Sequence, residues 1–174
     1  MSTADYKYDV YMAGPFFTPE QKATMDRLKA ILLQEELRVC DPRELNPVLT
    51  DMTDEQRKAF SKKDIFDANV VGLLRSWCVI ACIDDRDTGT SWELGYAYCL
   101  MTHRDGGRGP IITVSANGYG CNVMLSEAAD GHFPTLEALD RRIIRLARQI
   151  KDQTDGGVLK DSGFYDGALA DAVE

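Results

Sequence analysis

Short apolar runs alternate with amphipathic stretches along the chain, and the alternation predicts most of its secondary structure. Tyr8–Ala13 reads as a strand stopped by Gly14-Pro15. Thr18-Pro19-Glu20-Gln21 then combines a capping box with proline at the first helical position. The helix it opens carries Met25, Leu28, Ile31 and Leu32 at spacings of three and four. Leu37–Cys40 is a second short strand, ended by Asp41-Pro42. A further capping box, Thr53-Asp-Glu-Gln56, opens a long helix expected to run to Leu74. Ser76–Ile83 is a continuous apolar run, as in a central parallel strand buried on both faces. Acidic Asp84–Asp87 follows, then a helix from about Ser91 to Met101. A glycine-rich turn at Arg104–Gly109, a strand at Pro110–Ser115 and an amphipathic helix at Thr135–Lys151 complete the pattern. The tail from Thr154 onward reads as irregular.

Strand–helix alternation at these lengths predicts one α/β domain over residues 1–174, a flavodoxin- or Rossmann-like parallel sheet with helices on both faces. Ligands of such sheets lie outside the carboxyl ends of the strands, near the switch in strand order. That rule selects three loops: Ala13–Thr18, Asp84–Ser91 and Ser115–Asn122.

Composition narrows the function classes. A chain that is 44% hydrophobic and 28% charged is that of an ordinary globular protein. No apolar run approaches the roughly 20 residues that span a bilayer. The opening residues lack a secretory pattern, so the expected location is cytoplasmic. A net charge of −8 argues against a nucleic-acid polymer as partner. Five cysteines without CxxC spacing, and two distant histidines, predict free thiols with neither metal nor disulfide. No GxGxxG follows the first strand, which argues against a dinucleotide cofactor. No cofactor of any kind is expected.

The loop after the third strand is richest in chemistry. Asp84, Asp85, Asp87 and Glu93 fall within ten residues, with Gly89 and Gly95 permitting close backbone approach. Paired carboxylates suit glycosyl transfer without a metal: one attacks the anomeric carbon and the other handles protons at the leaving group. Glu93 in the first turn of a helix would also lie near the positive end of its dipole. Thr90-Ser-Trp-Glu93 equally fits a capping box, in which Glu93 only closes a helix start. The aspartates read equally as solvated turn residues, Asp67 as an exposed helical residue, and Tyr11 as a core aromatic. Spacing leaves these alternatives open.

Three motifs in order, Tyr11-Met-Ala-Gly-Pro-Phe-Phe-Thr-Pro-Glu-Gln, Asp87-x5-Glu93-Leu-Gly-Tyr-Ala and Asn122-Val-Met-Leu, fall on the three selected loops. Together they resemble the nucleoside 2-deoxyribosyltransferase family, and Phe164-Tyr-Asp-Gly-Ala168 resembles its C-terminal segment. The resemblance implies that Glu93 is the nucleophile, forming a covalent deoxyribosyl-enzyme that a second base attacks with net retention. It implies Tyr11 as the residue that orients Glu93, Asp87 as a carboxylate near the sugar hydroxyls, and Asp67 as general acid at the base. Asn122 would serve a neighbouring subunit's 5'-hydroxyl, in a homo-oligomer built from dimers and possibly a hexamer. Gly14, Phe16, Phe17, Gly89 and Met124 would line the substrate, with the two phenylalanines or Met124 stacking on a flat base. Glu44 falls where the family places a base-recognising side chain. The implied partners are a 2'-deoxynucleoside and a free purine or pyrimidine base. Unlike relatives that end at a tyrosine, this chain continues through Leu169–Glu174.

Two other readings compete. Related hydrolases release bases from nucleosides or nucleoside 5'-monophosphates. A 5'-phosphate would call for donors near the first loop, which has no basic residue before Lys22. A flavodoxin-like or Toll-interleukin-receptor-like binding module would keep the sheet but would not need Asp67, Asp87, Glu93 and Asn122 together.

Overall fold

The computed structural model of the chain describes residues 6–46, 51–59, 61–103, 109–118 and 121–154; the tail and its family-like Phe164–Ala168 lie outside them. Five strands form one sheet: β1 (Tyr8–Ala13), β2 (Val39–Cys40), β3 (Ser76–Cys82), β4 (Ile111–Val114) and β5 (Gly131–Phe133). They run parallel in the order β2-β1-β3-β4-β5, a flavodoxin-like order whose direction of winding reverses between β1 and β3.

Alternation along β1 and β3 divides the core in two. Val10, Met12, Cys78 and Ile80 meet α1 (Pro19–Gln34) and α7 (Leu136–Thr154) through Met25, Leu28, Leu139 and Ile143. Tyr11, Ala13, Val79 and Ala81 face the other way, against Leu73 of α4 (Lys62–Leu74) and Leu94, Ala97 and Met101 of α5 (Thr88–Thr102). Gly14 keeps the end of β1 close under α1: a Cβ there would lie 2.5 Å from Met25 Sδ and 3.1 Å from Cys82 Cβ. Cys40, Cys78 and Cys82 are buried as small core residues, and all five cysteines are free. Among the described residues, no helix is long and apolar enough to cross a membrane.

The expected long helix after Thr53 is two helices, α3 (Asp54–Ala59) and α4. Ser61 is extended (φ −81°, ψ 122°), and its carbonyl accepts from Asp64 and Ile65 N–H, starting a fresh helix. The Thr53 capping box itself is present: Thr53 N–H donates to Gln56 Oε1 at 2.8 Å, and Gln56 N–H to Thr53 Oγ1 at 3.3 Å. Among the described residues, four elements lie beyond the sequence expectations: α2 (Pro42–Leu45), a 3-10 turn at Asp84–Arg86, α6 (Val123–Ala128) and β5. Leu37, expected to begin β2, is buried just outside it.

Candidate active site

The site grows from the β1/β3 switch. Strand alternation turns Tyr11 toward α5, where its hydroxyl donates to Glu93 Oε1 at 2.5 Å. The ring is wedged beneath α4, because Gly72 leaves room: a Cβ there would be 3.1 Å from Tyr11 Cε2 and 2.9 Å from Cys40 Sγ. An aromatic anchor fixed on two sides therefore holds the carboxylate in one orientation.

The start of α5 differs from the expected capping box. Asp87, not Thr90, is the cap: its Oδ2 accepts from Thr90 N–H at 2.6 Å and from Thr90 Oγ1 at 2.8 Å. The helix accordingly begins at Thr88, so Glu93 sits in the second turn and its carboxylate is free of capping duty. The cap is aimed by the strained residues before it, since Asp85 (φ 62°) and Arg86 (φ 52°) are both left-handed. Asp84 anchors that turn from inside. It is 3% exposed and accepts from Ser115 Oγ at 2.7 Å and Ala116 N–H at 2.7 Å, tying the loop after β3 to the loop after β4. Gln21 Nε2 donates to Asp85 Oδ2 at 2.9 Å and draws in the first loop. The four carboxylates thus divide into an internal anchor, a loop tie, a helix cap and Glu93.

Burial raises the Glu93 carboxyl from its ordinary 4.5 to about 7; the Tyr11 hydrogen bond opposes this and the charge of Asp87 adds to it. Burial, then the charge of Glu93, pushes the Tyr11 hydroxyl up, so it remains a proton donor in the pair. Replacing Asp87 with alanine is expected to cost about 1 kcal/mol through the lost cap. It should also ease the ionisation of Glu93 by removing a like charge. Thermal denaturation checks the first effect; an unchanged melting temperature would deny Asp87 its capping role.

The remaining sequence candidates are spread more widely. Phe16 packs on the α1/α7 core, while Phe17 is half exposed with its ring 5.3 Å from that of Phe16. Gly89 lies against the Asp87 carboxylate, where a Cβ would be 3.1 Å from Oδ2. Asn122 caps α6, its Oδ1 accepting from Met124 N–H at 2.9 Å. Asn122 and the strongly exposed Met124 line a groove of about 1160 Å³ with Asp87, Ser91 and Gly95, and Glu93 is not among its lining residues. Asp67 is on the open surface of α4, ion-paired to Lys63 at 2.5 Å. Glu44 is likewise exposed and paired to Lys29 at 2.5 Å. Sequence reasoning passed over Trp92, whose exposed ring stacks on Tyr96 (5.2 Å, 10°) and meets Phe66 at 5.2 Å. Among the described residues, no group of three histidine, cysteine or acidic side chains is placed to hold a metal ion.

A 2-deoxyribosyltransferase from the psychrotolerant bacterium Bacillus psychrosaccharolyticus shares the fold, with a TM-score of 0.61 and 24% identity over 79% of this chain and 94% of that one. A search of curated proteins found no match. The family described as nucleoside 2-deoxyribosyltransferase matches residues 10–130, a span that includes Tyr11, Asp67, Asp87, Glu93 and Asn122. With most of its length matched, and with a carboxylate held at the switch of its parallel sheet, the chain belongs to the nucleoside 2-deoxyribosyltransferase family.

Proposed function

We propose that the protein exchanges the base of 2'-deoxynucleosides through a covalent deoxyribosyl-Glu93 intermediate. The observation that carries this reading is the Tyr11–Glu93 hydrogen bond at the β1/β3 switch, on a carboxyl raised to about 7. Deoxyribose lacks the 2'-hydroxyl, so its oxocarbenium-like transition state is reached readily and needs a close, oriented anion. Ionised Glu93 attacks C1', forms an ester and inverts the carbon as the bond to the base breaks. The departing base nitrogen takes a proton. A second base then attacks C1' from the opposite side, gives up its proton and frees the carboxylate, for net retention.

Partial burial serves this cycle. A poorly solvated carboxylate is a better nucleophile than one in water, and the Tyr11 donor keeps it aimed. For proton transfer at the base, Asp67 would exchange its Lys63 partner for the substrate. Asn122 and Met124, exposed at the head of α6, would suit a second copy's sugar pocket. We therefore favour a dimer-based homo-oligomer acting in nucleoside salvage in the cytoplasm.

Incubating the protein with deoxyadenosine or thymidine, with and without a free acceptor base, tests the reading. New nucleoside formed only with acceptor is the expected result; base release alone marks a hydrolase, and no turnover of any nucleoside defeats both. Transfer should rise as pH passes upward through about 7, because the nucleophile is the ionised form of a carboxyl raised by burial. A profile flat from pH 5 to 8 would contradict that assignment.

A further inference from the structure

The sheet stays paired up to the residues beside Asp84. Ile83 N–H donates to Val114 O at 3.0 Å, and Ser115 N–H to Phe133 O at 3.0 Å. Strand register at this edge is therefore set without the Asp84 side chain, whose contacts lie beyond the sheet. Its Oδ1 accepts from Ser115 Oγ at 2.7 Å and Asn117 N–H at 3.4 Å. Its Oδ2 accepts from Ala116 N–H at 2.7 Å and Cys82 Sγ at 3.3 Å. Three of these four donors come from successive residues of the loop that leaves β4 for Asn122.

All four donors are neutral, and burying a carboxylate against neutral donors is costly. What it offers in return is two acceptor-only oxygens, able to gather several donors at once where a hydroxyl or amide could not. Asp85, left-handed at φ 62°, bonds instead to Gln21 of α1, on the other side of β3. The paired carboxylates thus draw in loops from both sides of the strand. Ile83, Asp85, Asp87 and Asn122 line the groove between α5 and α6, and Asp84 is not among its lining residues. Any effect of Asp84 on a ligand there passes through the loop it holds.

We infer that Asp84 is a positioning residue for sugar recognition: it directs the loop leaving β4 so that Asn122 meets the 5'-hydroxyl in a second copy's site. The inference rests on the proposed site shared between copies, with Glu93 from one chain and Asn122 from the other. Glu93 does not depend on Asp84 for its own orientation, because Tyr11 of β1 holds it and Asp87 caps its helix. Loss of Asp84 should accordingly weaken the grip on the sugar while sparing attack at C1'. A contact that holds substrate and transition state alike shows in KM and leaves kcat in place.

Calorimetric titration of the full chain carrying Glu93→Gln, which holds the nucleoside without transfer, tests this with deoxyadenosine and with 2',5'-dideoxyadenosine. Thermal denaturation and transfer kinetics of the chain with Glu93 intact accompany it. Glu93→Gln is expected to bind deoxyadenosine about tenfold more tightly than the analogue lacking the 5'-hydroxyl. Adding Asp84→Ala should make the two affinities about equal. With Glu93 intact, Asp84→Ala should raise KM about tenfold, change kcat little and leave the acidic limb near pH 7. A merely structural anchor would lower the melting temperature and leave the preference of the folded protein intact. If Asp84→Ala does not fold, Ser115→Ala, which removes one of the closest donors, is read in the same way. A preference retained in the folded variant overturns the inference, as does a Glu93→Gln chain without preference. A preference that depends on Asp84 in a protein whose wild type transfers nothing would instead overturn the reading of Glu93 and leave the positioning role standing.

Discussion

Replacing Glu93 by glutamine is expected to lower deoxyribosyl transfer by at least about a thousand-fold, because the amide offers no nucleophilic oxygen to C1'. The same variant should be the more stable protein at alkaline pH. Burial, against the pull of the Tyr11 hydrogen bond, holds the folded carboxyl near 7, whereas its ordinary value is 4.5. Between those values the folded chain retains a proton that the unfolded chain has released. Wild-type stability therefore declines as pH rises through this window and stays lowered above it. At about 1.4 kcal/mol per pH unit, the full penalty is about 3 kcal/mol. Glutamine carries no charge, keeps an oxygen to accept from Tyr11 and avoids the penalty. Melting both proteins at pH 5 and pH 9 is the measurement: the gap should be small at the first and open at the second. Transfer near the wild-type rate would remove Glu93 from the chemistry. A gap independent of pH would mean that burial does not raise the carboxyl.

The central sheet was more legible in the sequence than the site at its edge. The strands of the central sheet were legible because β1, β3 and β4 are apolar runs buried on both faces, and a parallel sheet leaves them little alternative. β5 was not: Gly131-His-Phe is short, half buried and lacks a β-branched residue. Local signals also conflicted around Glu93. Thr90-Ser-Trp-Glu93 and Asp87-Thr-Gly-Thr90 both satisfy capping patterns, and the second prevails because left-handed Asp85 and Arg86 deliver Asp87 to the helix start. No propensity marks an arginine for that conformation. Glu44 and Asp67 occupy loops and faces where a base contact was expected, yet each has a lysine partner at the surface. Sequence spacing singled out the loop that holds Glu93, and tertiary contact gave each carboxylate in it a different partner.

Tyr11→Phe is expected to lower kcat/KM about 10- to 100-fold, the scale of a hydrogen bond to a charged group worth about 1.5–3 kcal/mol. The phenylalanine ring would keep its packing under Gly72, so the fold should survive. The effect on ionisation is opposite in sign to that of burial relief. In the wild type the Tyr11 hydroxyl favours the carboxylate form of Glu93, and it is the one contribution that pulls the carboxyl down. Without it, burial and the charge of Asp87 act unopposed, and the acidic limb of the rate profile should move above pH 7. The loss of activity should thus be steepest at neutral pH and partly recovered at pH 9, where even the raised carboxyl ionises. Orientation accounts for whatever deficit persists there, since a carboxylate without its anchor can rotate away from C1'. Stability should separate the two contributions again: the variant's deficit should be greater at pH 9, where an ionised Glu93 is left buried without its donor, than at pH 5. A variant whose acidic limb stays in place while its rate falls would assign Tyr11 to positioning alone; one that matches wild type in rate and limb would deny the hydroxyl any part in the reaction.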